Sequence, residues 1–557
     1  MKYRYITSVI LFCFTFGTGS FAQKLGSVSG NIESIYQYLL TDSIIGATQP
    51  KEKSLINTYA LVNYNLAGFK AGARFEVYYP RILGYPDRYD GAGLGYRYVG
   101  YENKLLSVTV GNFYEQFGSG LIFRSYEDRA LGVDNAMDGF HLRLTPVKGL
   151  TIKGVYGKQR FSFTDGKVVK SAGIVRGFDG ELAVDQLITK LSDKQIRLKI
   201  GGSFVSKYES GTHPDYNIPA NVGAYGGRID FGYKNFYLNG EYVIKEADPS
   251  ADNNYIFNYG KGMIVNLGYS QKGIGVLLSA KSIDNMSFRS ERNAALQDLT
   301  IGFIPPLTKT HTYNLVTTLY PYVSQPLGEV AYQADFFYKF KRGTKLGGKY
   351  GMDIALNFST AFAPEQTLNG IDLNDSSRVV YSSRLFHSSY KRSDLYWRDI
   401  NVEVKRKLSK KWSFIASYYN IHLNNDVIKI TDAKGIIESH IGVIDVLYKI
   451  NTKHSIRGEL QGLWTKGRKD RGHWATLVLE YTISPDWFFS FVGQYNYGHP
   501  DPDLRVLYPI GVIGKIWGST RLQVAYGRQN AGLFCVGGVC RFVPASNGLT
   551  VTFTHSF

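Results

Sequence analysis

The 557-residue chain has only three cysteines, and the first, Cys13, lies in an apolar N-terminal stretch. So few thiols exclude a disulfide-dense scaffold and leave one candidate pair, Cys535 and Cys540. No apolar run beyond the N-terminus is long enough for a spanning helix, and mean hydropathy is −0.18, which excludes a helical inner-membrane protein. Linkers, charge blocks and low-complexity segments are missing too. A soluble chain of this length would ordinarily divide into several domains, so their absence points to one continuous architecture. The ten histidines fall in no metal-ligand spacing. Gly118-Ser119-Gly120 lacks the flanks of a nucleophile elbow, and no nucleic-acid motif is present. The expectation is therefore no catalytic residue, metal or cofactor, no nucleic-acid partner and no enzyme activity.

What the chain has in excess is Tyr (42), Phe (33) and Gly (60), a mixture that suits strands, interfacial aromatic girdles and tight turns. The last nine residues show how these are used. Leu549, Val551, Phe553, His555 and Phe557 alternate with Thr550, Thr552, Thr554 and Ser556, giving one apolar and one polar face. About nine to eleven such residues cross a bilayer as a tilted strand. A C-terminal strand ending in Phe resembles the insertion signal of outer-membrane barrels, which marks Phe553 and Phe557.

Residues 1–22 read as a secretory signal: Lys2 and Arg4 precede an apolar stretch, and Ser20-Phe21-Ala22 is a small-residue cleavage site. Its removal lowers the formal charge from +18 to about +16. In an envelope protein this excess suggests anionic headgroups, or preference for anions in an open pore. Residues 23–557 then read as one outer-membrane β-barrel. Phe69, Ala71, Ala73, Phe75, Val77 and Tyr79 face out against Lys70, Arg74 and Glu76, and the unit recurs to the C-terminus. Short turns such as Lys234-Asn235 alternate with longer loops such as Pro80 to Gly93 and Ser162 to Val175, as periplasmic turns alternate with extracellular loops. Counting pairs gives about 26 antiparallel strands, with 24 as the alternative. The two counts differ over Asp284 to Pro321, where Leu299 to Ile304 and Thr312 to Tyr320 read as a hairpin or as part of a long loop.

Three constellations stand out. Inward faces carry acid beside base, as in Arg74 with Glu76 and Arg457 with Glu459, which is generic to a hydrated lumen. The stretch Phe113 to Gly139 is long and carries Leu121, Ile122, Phe123, Leu131 and Val133, so it reads either as an inward constriction presenting Arg124, Glu127, Asp128 and Arg129 to the pore or as a structured external loop. Around Gly537-Gly538 a two-residue hairpin places Cys535 opposite Cys540 in the last extracellular loop, where a disulfide is expected.

Cys535-Val-Gly-Gly-Val-Cys540-Arg-Phe-Val-Pro544 followed by Leu549 to Phe557 resembles the ending of an uncharacterised family of Bacteroidota outer-membrane barrels. Phe117-Gly-Ser-Gly-Leu121 and Tyr320-Pro-Tyr-Val-Ser-Gln-Pro326 are also similar to that family. The resemblance implies location and fold. Two functions fit: a porin-like channel or transport-related barrel, and a structural accessory barrel of an outer-membrane secretion or assembly complex. The expected partners are outer-membrane lipid and lipopolysaccharide, the barrel-assembly machinery during biogenesis, and an envelope protein complex.

Overall fold

The structure is a computed structural model that describes residues 26–211, 213–369, 380–429, 434–536 and 539–557, without the side chains of 368–369, 380, 533–536 and 539–540. The signal-peptide reading of residues 1–22 falls outside them. Twenty-four antiparallel strands, from Ser27–Leu40 to Ser546–Ser556, each pair with their neighbours and form a closed ring. The ring is sealed where the first strand meets the last, in a register that sets Ser34 opposite Phe553 and Tyr38 opposite Leu549. Gly30 and Phe557 exchange both backbone hydrogen bonds at the end of the seam, at 2.9 and 3.0 Å. No open edge is left within the ring, which is how a sheet satisfies its backbone in lipid.

Alternation within each strand makes two faces. Phe69, Val99, Tyr156, Phe178 and Leu460 are more than half exposed on the outer one. At the short-turn end, Trp412 and Trp517 remain exposed and the Lys515 ammonium lies 4.9 Å from the Trp487 ring. Such amphipathic rings sit at a membrane interface.

The ring has 24 strands rather than the first count of 26. Leu299 to Ile304 contributes no strand, and within Thr312 to Tyr320 the chain forms a short helix, Asn314–Thr318. Both pack against the wall instead of extending it. The loop expected at Ser162 to Val175 also differs: a four-residue strand, Lys167–Lys170, folds back on Leu150–Thr164 above the ring.

Candidate functional site

By about 16 to 18 strands a barrel already leaves an aqueous channel, so a 24-strand lumen must be open or filled. Here the half on the long-loop side is filled by two inward segments. The first, between strands Leu106–Phe113 and Met137–Val147, buries Phe117, Leu121, Ile122 and Phe123 completely. Their neighbours include Val155, Val175, Val205, Val243, Ile264 and Ile283 from successive strands. One short stretch can touch so many strands only from the concave side. The second segment lies between Ile274–Asp284 and Gly328–Phe340, and its Leu315 and Val316 pack against Tyr419, Ile421, Leu423, Ile441 and Leu463.

Polar contacts fix both segments. Glu241 on the wall accepts from the Ser119 amide at 2.6 Å. Glu115 receives His141 Nε2 at 2.9 Å and Lys153 Nζ at 2.8 Å. Burial alone would raise this carboxyl's pKa, but the two hydrogen bonds outweigh it and hold it at about 2. In the second segment, Gln461 accepts from the Leu315 amide at 3.0 Å and Asp399 lies 2.6 Å from His311 Nε2. The segments also join each other: Ile301 accepts from the Arg124 amide at 2.8 Å, and Gly120 from Phe303 at 2.9 Å. A β-carbon on Gly302 would sit 2.3 Å from the Leu121 carbonyl oxygen, so glycine is required where they cross.

The densest electrostatic feature is a buried network between wall and first segment. Arg160 reaches Glu76 at 2.7 Å and Asp134 at 2.9 Å, while Arg74 reaches Glu76 at 2.7 Å, Asp134 at 2.6 Å and Glu127 at 2.9 Å. Tyr78 donates to the Glu76 oxygen that Arg160 also contacts, and Tyr114 donates to the Asp134 oxygen that the two arginines leave free. Uncompensated charge at this depth would be prohibitive, and the mutual pairing removes that cost.

Of the four charged residues expected in a constriction, Glu127 and Arg129 come together here, and all four are engaged in contacts. Arg129 pairs with Glu127 at 2.9 Å and with Glu33 on the wall at 2.7 Å. Arg124 stacks 4.0 Å from the Phe303 ring, and Asp128 accepts from the Leu131 amide. Phe553 lies on the outer face of the closing strand and Phe557 is half exposed beyond it. The backbone pairing of Gly532–Val536 with Val539–Val543 sets Cys535 opposite Cys540, whose side chains lie outside those described. Sequence reasoning missed the second inward segment and the partners of Arg74 and Glu76. The apolar Leu315, Val316 and Leu319 inside a long connection were the available signal.

Toward the short-turn end the lumen is polar and open to water. Arg143, Arg197, Lys199, Asp230, Lys405 and Arg521 line it and are exposed. The barrel is thus a cup, filled at the long-loop end and hollow at the other.

A closed antiparallel ring, an apolar outer belt and a lumen filled from one end define a transmembrane β-barrel of the outer-membrane type. The chain belongs to a family of unknown function, DUF6029, which matches residues 1–557. No curated protein matches it. Among solved structures it is similar to the siderophore receptor PirA from Pseudomonas aeruginosa, with 9% identity, 96% of this chain and 81% of that one covered, and a TM-score of 0.40. It is similar to the P pilus usher PapC translocation pore, with 9% identity, 95% and 99% covered, and a TM-score of 0.41. The outer membrane protein opdK from Pseudomonas aeruginosa gives 9% identity, 95% and 99% covered, and a TM-score of 0.36.

Proposed function

We propose that the protein is a transport-related barrel of the bacterial outer membrane, closed at rest by its own inward segments, and that it catalyses no reaction. The observation that carries this reading is the complete burial of Phe117, Leu121, Ile122 and Phe123 across the lumenal faces of successive strands. Short turns mark the periplasmic side of such barrels, so the hollow end faces the periplasm and the filled end the cell surface. The assembly machinery acts on the chain during biogenesis, and the C-terminal motif supports a Bacteroidota source.

An opened pore would prefer anions on the strength of the net positive charge. The wall tempers this preference, because Arg457 alone faces Asp445, Glu459 and Glu480. The test is reconstitution into planar bilayers. Little steady conductance is expected from the intact protein, with a marked rise once both inward segments are shortened and a reversal potential of anionic sign. Large resting conductance would overturn the closure, and cation preference would overturn the selectivity.

The filled lumen also favours the second reading, an accessory barrel held in an envelope complex. No conductance from the doubly shortened barrel, together with a stable partner in mild-detergent pull-downs, would select it.

A further inference from the structure

The outer wall carries a cluster that the closed lumen does not use. At the surface ends of strands Leu395–Lys407, Trp412–Asn424, Ile436–Lys449 and His454–Thr465, the outward positions stop being apolar. Trp397, Ile421, Leu423, Ile437, Ile441 and Leu463 face the lumen packing, so Arg398, Asn420, His422, Glu438, His440 and Trp464 face the membrane side. Each lies within four residues of its strand's end, which is at most about 13 Å at strand rise and matches the headgroup level. Tyr418 and Trp464 remain exposed as an aromatic step beside them.

Four full cations, Arg392, Arg398, Lys466 and Lys469, gather here around one carboxylate, Glu438. Arg392 pairs with it, His422 Nδ1 lies 3.4 Å from it and Lys466 Nζ 3.9 Å. Lys469 donates to the Ile436 carbonyl at 3.0 Å, and Arg398 to Asn420 at 2.9 Å. Among the described residues, Asp394 accepts from Ser389 and Ser393, and Asp426 from the Gly435 amide. Arg392 and Lys466 keep 71% and 79% of their side chains exposed. Beneath them two buried polar atoms, Arg398 Nε and His422 Nε2, have no hydrogen-bond partner, and the His422 side chain is 1% exposed.

We propose that this patch binds the phosphate of a phosphorylated glycolipid headgroup in the outer leaflet. Excess cationic charge, two forked guanidiniums and an unanswered guanidinium N–H suit a phosphate ester. The position on the lipid-facing wall, beside rings at the interface, selects a lipid-borne phosphate over a free one. The inference rests on the outer-membrane location and not on the gating of the lumen.

The test uses the full-length barrel in phosphatidylcholine nanodiscs containing diphosphorylated lipid A, with retained lipid A counted by native mass spectrometry. Wild type is expected to retain lipid A, and Arg392→Gln with Arg398→Gln to weaken retention at least tenfold. Lys466→Gln with Lys469→Gln changes only connecting segments, and should weaken it about threefold even if the first pair of changes impairs folding. Lys515→Gln, at the opposite interface, should leave retention unchanged. Enzymatically dephosphorylated lipid A should not be retained, and inorganic phosphate should compete only weakly. Equal retention by the variants, retention of the dephosphorylated lipid, an equal loss with Lys515→Gln, or full competition by inorganic phosphate would each overturn the assignment. Bilayer conductance separates this outcome from the gating proposal, since these outer-wall changes should leave it at the wild-type level.

Discussion

Asp134 takes part in two ion pairs and accepts from Tyr114, all at burial that water does not relieve. Replacing it with Ala leaves Arg160 facing Glu76 alone and should cost about 3 kcal/mol, as removal of one partner from a buried pair does. The expected result is a lower temperature for the heat-dependent gel shift, and an unchanged transition would refute it. Glu115 carries a pH effect. Its folded pKa of about 2 lies below the ordinary value of 4.5, so its stabilising contribution is full above 4.5 and is lost as pH falls toward 2. Protease cutting between Ser119 and Asp134 should therefore rise below about pH 3 and lose that dependence in Glu115→Gln. For Cys535 and Cys540 we expect a disulfide at the surface, contributing about 2 kcal/mol because the closed loop is small. An impermeant maleimide should label intact cells only after reduction, and free labelling without reductant would refute the bridge. At this scale the sequence was legible only locally. Arg74 and Glu76 stand side by side and read as a lumenal pair, whereas Asp134 lies 60 positions from Arg74 and Arg160 lies 84 from Glu76, beyond the reach of any local pattern.

The elements divide along the same line. Strands whose outer faces meet lipid, such as Phe69–Tyr78 and Ser546–Ser556, declare themselves through alternation, because membrane and water impose opposite demands on successive residues. The inward segments answer to neither solvent. Leu315 and Val316 are apolar because Tyr419, Ile421 and Leu463 are, and those partners lie more than a hundred residues on, so Thr312 to Tyr320 could pass for a strand. Deleting Ser119 to Asp134 should raise conductance only in part, since the second segment keeps its hold through Gln461 and Asp399. Shortening both segments should give a larger, steady conductance in planar bilayers with the gel shift retained. Equal conductance from the single and double deletions would show that the second segment does not obstruct the lumen.

For the molecule as a whole, the ring closure has a consequence for how its instructions are divided. The first and last strands meet at Gly30 and Phe557, on the short-turn side. A circular permutant carried behind a secretory leader could join Phe557 to Ser27 through a short linker and open the chain between Lys234 and Asn235. It would preserve every rung of the ladder, and the new ends would still lie at a short turn. What would change is the place of the Leu549 to Phe557 stretch in the chain order, moved from after the other strands to among them. Such a protein should refold in detergent to the same heat-modifiable species, yet fail to accumulate in the outer membrane of cells. Normal accumulation would mean that the cell reads the shape of the finished barrel rather than the spelling of its final residues.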